Sequence, residues 1–589
     1  MRLRLPSPGL LALLLWSCTG APDYDLIVRG GTIYDGSGAP GYVGDVAVRG
    51  DRIAYVGRRA PGEARRVIDA GGHAVAPGFI NMLSWSNESL LIDGRGQGEL
   101  RQGVTLEVLG EGESMGPLTQ QMKDDLVAQQ GDLRYPVEWT TLGEYLDHLE
   151  RKGISLNVAS HIGAATARMN LLGSDDVDPT AEQLDAMRGV VRHAMEEGAL
   201  GVASSLIYAP GTYAETGELV ALAETAGRCG GIYATHMRSE GHRLLEAIDE
   251  TIEISRRSGT PAEIYHLKAA GRENWPKLEP AIARIDAARR WGLRVTTEMY
   301  AYPAAGTGLD ASMPPWVQEG GNDAWFARLR DPTIRRRVAG EMRAADAGWE
   351  NMMRMSGGPD QVLIAVLRNP RLKPLIGRTL ADIANARGVS AEEAAMDLVV
   401  EDQSRVGAIY FLMSEDNVRR QITLPYMTFG SDGTAVTAGG VFLESNLHPR
   451  GYGNFARVFA RYVRDENLLT IEEAVRRMTA QAAAVLGLRD RGQLSVGHYA
   501  DVVVFDPATI QDHGTYAKPH QYATGVSHVL VNGVETLRDG EPTDARPGRV
   551  VRGRGWSGWN GGGCRASPGD WQWPFWGPAN WTGASATSR

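Results

Sequence analysis

Short apolar runs that end in a histidine or an acidic residue recur along this 589-residue chain, and they constrain its fold more than any other feature. Ile232-Tyr233-Ala234-Thr235 leads into His236, Ala262-Glu263-Ile264-Tyr265 into His266, and Tyr426-Met427-Thr428-Phe429-Gly430-Ser431 into Asp432. A fourth run, 106–110, delivers Glu111. Runs of this length suit buried strands. A polar side chain at the C-terminal end of a buried strand is how a parallel β/α barrel assembles its active site.

The whole middle of the chain follows that rhythm. The pattern predicts eight strands, over 75–82, 106–110, 155–159, 201–207, 232–236, 262–266, 294–299 and 426–431. Amphipathic helices are expected between them, for example over 181–197, 244–258 and 278–291. Eight strands with crossover helices make an α/β chain with a (β/α)8 TIM-like barrel, assigned to residues 76–489. About 125 residues separate the last two strands, far beyond an ordinary βα loop. The excess, at about 302–424, reads as an inserted subdomain over the barrel mouth. Residues 24–75 and 490–553 carry short β signals and Gly-rich turns, which predicts a small β-sandwich domain built from both ends of the chain. The Gly- and Trp-rich tail at 554–589 has no periodicity and is expected to be disordered.

Charge and the N-terminus bound the partners. A net charge of −10, with no long Lys/Arg block, argues against nucleic acid or an anionic membrane surface. Arg2 and Arg4 precede a short apolar stretch, 10–16, that is too short to remain in a bilayer. Leu15-Trp16-Ser17-Cys18 then resembles the lipobox of bacterial lipoproteins, although Trp16 is unusual there and plain secretory cleavage is the alternative. Residues 1–23 therefore read as a lipoprotein-type signal peptide. The expectation is an exported bacterial protein, either periplasmic or held to the membrane only through a lipid on Cys18. Three cysteines, Cys18, Cys229 and Cys564, cannot make a disulfide framework; with Cys18 lipidated only one pair remains, Cys564 lies in the tail, and stability is expected from the core.

The strand-end residues suggest metal chemistry. His236 and His266 are one βα repeat apart, at the same height on neighbouring strands, where two imidazoles can share a divalent metal. A lone His at a strand end is more often structural; two at this spacing, with acidic strand ends nearby, favour the metal. Glu111, between Gly110 and Gly112, is a candidate third ligand, with Glu113 as its rival. Asp432 either caps the turn Gly430-Ser431-Asp432-Gly433 or moves a proton between metal-bound water and a leaving amine. His161 reads as a residue near the mouth or a structural one.

Several motifs in order make a specific resemblance: His236-Met237-Arg238-Ser239-Glu240-Gly241, Tyr265 to Arg272, Gly430 to Gly433, and His448-Pro449-Arg450. With Ala76-Pro77-Gly78-Phe79-Ile80 and Gly497 to Phe505 they resemble the N-acyl-D-amino-acid deacylase (D-aminoacylase) family of the amidohydrolase superfamily, over about residues 24–550. The resemblance implies a zinc-dependent hydrolase that releases a carboxylate and a free D-amino acid from a small N-acyl amino acid. It implies His236 and His266 as metal ligands and Asp432 as general acid/base. Glu111 falls where these enzymes place a Cys ligand, and Lys268, Tyr208 and Arg450 match positions that clamp the substrate carboxylate. One departure stands out. The superfamily's His-x-His is replaced by Leu83 and Trp85, neither of which binds zinc. A single tight ion, zinc or another divalent metal, is therefore expected. The alternatives are a cyclic amidase or dipeptidase-like enzyme, or a binding lipoprotein that has lost activity.

Overall fold

The computed structural model describes residues 22–345, 348–558 and 564. Eight parallel strands surround its centre: Phe79–Asn81, Val104–Leu109, Asn157–Ser160, Gly201–Ser205, Ile232–His236, Ala262–Ile264, Val295–Met299 and Met427–Phe429. The first three pair in one sheet and the remaining five in another. The sheets meet at both seams, where Met82 N donates to Phe429 O (3.2 Å) and Leu200 N to Ser160 O (2.9 Å). Every residue of these strands is buried, the polar ones such as Asn81, Glu107 and Glu263 included.

The helices follow from spacing and caps. Leu244–Ser258 buries Leu244, Ala247, Ile248, Thr251, Ile254 and Ser255, a stripe recurring every three or four residues. Ala181–Glu196 starts at a Thr180–Gln183 capping box and Leu142–Lys152 at a Thr141–Glu144 box. Each such N-cap contributes about 1 kcal/mol.

The run 75–82 is not one strand. It divides at Gly78: Ala74–Pro77 belongs to an outer sheet and Phe79–Asn81 to the barrel. A Cβ on Gly78 would lie 2.1 Å from Thr105 Oγ1, so the chain crosses between sheets where no side chain fits. The outer sheet has nine strands, eight on one hydrogen-bonded path and the ninth, Ala64–Asp69, paired off it to Tyr24–Ile33. Ala74–Pro77 joins its halves, parallel to Tyr24–Ile33 and antiparallel to Val502–Phe505. Val502 and Val504 pack with Leu26, Val28 and Val46, while Val503 and Phe505 pack with Phe79 and Phe459. The two-residue period of this strand thus welds the β domain to the barrel.

That sheet ends at Pro542, so the β reading to 553 extends too far. The following segment runs along the N-terminal ends of the barrel strands instead, through Gly548 N to Ile154 O, Val551 N to Val158 O and Gly553 N to Gly198 O, each 2.8 Å. Beyond it Cys564, in the segment expected to be a disordered tail, forms a disulfide with Cys229, the one pair that a lipidated Cys18 leaves. The leader at 1–21, with Cys18, and the tail at 559–563 and 565–589 lie outside the described residues.

Between the last two barrel strands, Ala305–Gly308, Val362–Val366 and Gly407–Tyr410 form a separate antiparallel sheet. Helices cover it around Trp325, Phe326, Leu329, Val338 and Met342. This unit reaches back to the barrel mouth, where Ser239 Oγ donates to Glu350 Oε1 (2.5 Å) and Gly271 N to Leu412 O (2.8 Å).

Candidate metal centre

The fifth and sixth strands pair in register, Thr235 opposite Ile264, so the two histidines that follow emerge side by side at the barrel mouth. Their rings are 4.5 Å apart. Across from them the second strand brings in Glu111, whose Oε1 lies 3.0 Å from His236 Nδ1 and 3.3 Å from His266 Nε2. All three residues are buried, and they are the one group of metal-competent donors among the described residues whose ligand atoms all lie within 4.8 Å of one another. Glu113 is not in it. Donors about 2.0–2.1 Å from a tetrahedral ion sit roughly 3.3 Å apart, so the observed separations fit one ion held by two imidazoles and a carboxylate. Burial opposes the charge on Glu111, but hydrogen bonds from both histidines outweigh it and hold its carboxyl well below the ordinary range.

A second carboxylate aims the His266 ring. Glu240 Oε1 lies 3.0 Å from His266 Nδ1 and 2.6 Å from Lys268 Nζ, and its Oε2 is 3.7 Å from His236 Nε2. With Nδ1 so engaged, His266 presents Nε2 to Glu111. Burial and Lys268 oppose protonation of His266, yet Glu240 and Glu111 pull its imidazole up to about 10 in the metal-free protein. His266 and Asp432 both adopt left-handed backbone, with φ of 32° and 47°. Such conformations cost about 1–3 kcal/mol each and persist only where neighbours enforce them. Here Glu298 accepts from His266 N, and Asp432 N donates to Leu83 O (2.9 Å).

Asp432 faces the triad from the eighth strand. Its Oδ2 lies 2.8 Å from Arg450 Nη1 and its Oδ1 3.1 Å from Trp85 Nε1. The same indole nitrogen is 3.0 Å from Glu111 Oε2. Burial raises the Asp432 carboxyl above its ordinary range, Arg450 and His266 only partly offsetting this. The Arg450 guanidinium stands over the Tyr300 ring at 4.6 Å, and Lys268 Nζ is 5.6 Å from that ring. Tyr208 lies against His236, its ring 5.3 Å away, with its hydroxyl bonded to Thr307 of the insertion (2.8 Å). The structure therefore gathers Glu111, His236, His266, Lys268, Tyr208, Asp432 and Arg450 at one mouth. His161 is elsewhere in role: burial lowers its imidazole to about 4, and its backbone N bonds Leu109 O (2.9 Å).

Four participants escaped the sequence reading. Glu240 lies inside the motif at 236–241, Glu298 near the end of the seventh strand and Tyr300 just past it, so the strand-end rule could have found the last two. Trp85 was recognised only as an inability to bind metal. Its role as a donor to two carboxylates needed the fold.

A closed parallel barrel with a buried His–Glu–His group and a carboxylate at its mouth defines a metal-dependent hydrolase scaffold. The model of the amidohydrolase family matches residues 66–537. The N-acyl-D-glutamate deacylase of Alcaligenes xylosoxydans xylosoxydans is 34% identical over 530 residues, covering 90% of this chain and 96% of that one. A solved D-aminoacylase, studied for the role of its binuclear metal center with one-metal activation and second-metal attenuation, is 32% identical and superimposes with a TM-score of 0.74, covering 90% of this chain and 100% of that one. An N-acyl-D-glutamate deacylase from Bordetella bronchiseptica, complexed with zinc and a phosphonate mimic of the tetrahedral intermediate, gives 32% identity and a TM-score of 0.73, covering 90% and 99%. This chain belongs to the amidohydrolase family.

Proposed function

We propose that the protein is a zinc-dependent hydrolase that cleaves the amide of N-acyl-D-amino acids, releasing a carboxylate and the free D-amino acid. The observation that carries this reading is the buried His236–His266–Glu111 group with Asp432 two hydrogen bonds away through one indole N–H. The likeness to two deacylases of such substrates along nearly their whole length supports it. Glu111, His236 and His266 would hold zinc, which supplies a Lewis acid for the acyl carbonyl and acidifies water. Asp432 is suited to take a proton from the attacking water and return it to the leaving amine, because its raised carboxyl lies nearer the working pH.

The α-carboxylate of the substrate meets Arg450 first. Its Nε and Nη1 are buried without an aligned hydrogen-bond partner, although Nη1 is close to Asp432, and a planar guanidinium suits a carboxylate two-pronged. Lys268 and Tyr208 complete the clamp. The insertion contributes the far wall through Thr307 and through Arg405, whose guanidinium stands over the Tyr208 ring at 4.8 Å. The test is amine release from matched N-acetyl-D- and N-acetyl-L-amino acids by zinc-loaded protein. Turnover of the D-series alone is expected, and no release from any D-substrate by metal-loaded protein overturns the reading.

We also propose that the chain is exported, as a lipoprotein or a periplasmic enzyme. The Arg2/Arg4 leader and the 15–18 motif support this. The Cys229–Cys564 disulfide adds to it, because such bonds persist in oxidising compartments. Metabolic labelling with a palmitate analogue separates the two: label lost in Cys18→Ser means an anchor, and no label means simple secretion.

A further inference from the structure

We infer that Trp85 stands in for a second cation and so holds this centre to one metal ion at any zinc concentration, an inference that rests on the hydrolase reading above. Glu111 and Asp432 are both buried, 3% and 8% exposed, and the oxygens that the histidines and Arg450 leave over, Glu111 Oε2 and Asp432 Oδ1, need a shared hydrogen-bond donor. The indole N–H supplies it, donating to Glu111 Oε2 at 3.0 Å and to Asp432 Oδ1 at 3.1 Å. Glu111 divides its oxygens accordingly. Oε1 serves His236, His266 and Ser205, while Oε2 serves Trp85 alone.

A divalent ion bridging Oε2 and Oδ1 would have to occupy the space of that N–H, and an indole nitrogen donates without being able to ligate. The proton and the ion exclude each other. Trp85 is well placed for the task, because its backbone lies on the seam that closes the barrel: Trp85 N donates to Gly433 O (2.8 Å), and Ser84 bridges Gly433. The other inward position of this segment offers no ligand either. Leu83 is fully buried among Ala203, Ala234 and Tyr265. A second ion, which attenuates the related D-aminoacylase, therefore finds no site here.

The test counts zinc on the intact protein by native mass spectrometry while free zinc is raised to large excess, with amide hydrolysis followed in parallel. Wild type is expected to hold one equivalent, with activity level in excess zinc. Trp85→His puts an imidazole beside the two carboxylates and is expected to hold two equivalents and to lose activity as zinc rises. Trp85 is 38% exposed, so the exchange leaves the core in place, which circular dichroism checks. Two equivalents on wild type overturn the inference, as does a folded Trp85→His protein that keeps its tight zinc and takes no second. Wild type that binds no zinc at all overturns the hydrolase reading instead. If Trp85→His does not fold, the wild-type count still decides.

Discussion

Glu240 and Asp432 divide the work of the centre between holding and reacting. Glu240 engages Nδ1 of His266, and partners of this kind typically account for 10- to 100-fold in metal affinity. Glu240→Gln is accordingly expected to weaken zinc binding about 10- to 100-fold, read by competition with a chromogenic chelator. Unchanged affinity would reduce Glu240 to a counter-ion for Lys268. Asp432→Asn preserves shape but cannot carry a proton, so kcat is expected to fall roughly 10²- to 10⁴-fold with zinc content unaltered. Loss of zinc together with activity would place Asp432 among the ligands. His236, His266 and Asp432 were readable from sequence because each ends an apolar run. Glu240 was not, because it acts from a loop through another residue.

The barrel strands carry a second layer of carboxylates below the mouth. Glu263 lies inside Ala262–Ile264 and accepts from Thr296 on the neighbouring strand and from Thr428 on the strand beyond it. Burial pushes its carboxyl up to about 8 from an ordinary 4.5. A carboxyl raised in the folded state binds more protons there than in the unfolded chain between those two values. Its contribution to stability is therefore present below about 4.5 and declines as pH rises to about 8. Glu263→Gln keeps the hydrogen bonds and removes the charge, so its thermal midpoint should fall less than that of wild type between pH 5 and 8. Parallel pH curves for the two proteins would show that Glu263 ionises normally. The crossing at Gly78 belongs to the same scale. Gly78→Ala is expected to cost about 1–3 kcal/mol by forcing Thr105 aside, seen as a lower denaturation midpoint, and an unchanged midpoint would mean that the strand shifts freely.

Both ends of the chain contribute to one assembly. The N-terminal strands join a sheet completed from the C-terminus, the segment after that sheet runs along the N-terminal ends of the barrel strands as far as Gly553, and Cys564 is bonded to a cysteine 335 residues earlier. A cross-link closing so long a loop contributes typically about 2–4 kcal/mol. Reduction, or Cys564→Ser, is expected to lower the thermal midpoint while leaving zinc content intact; an unaltered midpoint would show that the strap holds by hydrogen bonds alone. By itself the sequence determined the repeating strands, the three long helices and the side chains at the strand ends, because burial and periodicity are local and write themselves into neighbouring residues. Only the tertiary structure decided that Gly78 breaks a strand, that Cys229 meets Cys564 and that Trp85 joins two carboxylates. Each of those depends on groups far apart in the chain, and no local pattern records which distant surfaces meet.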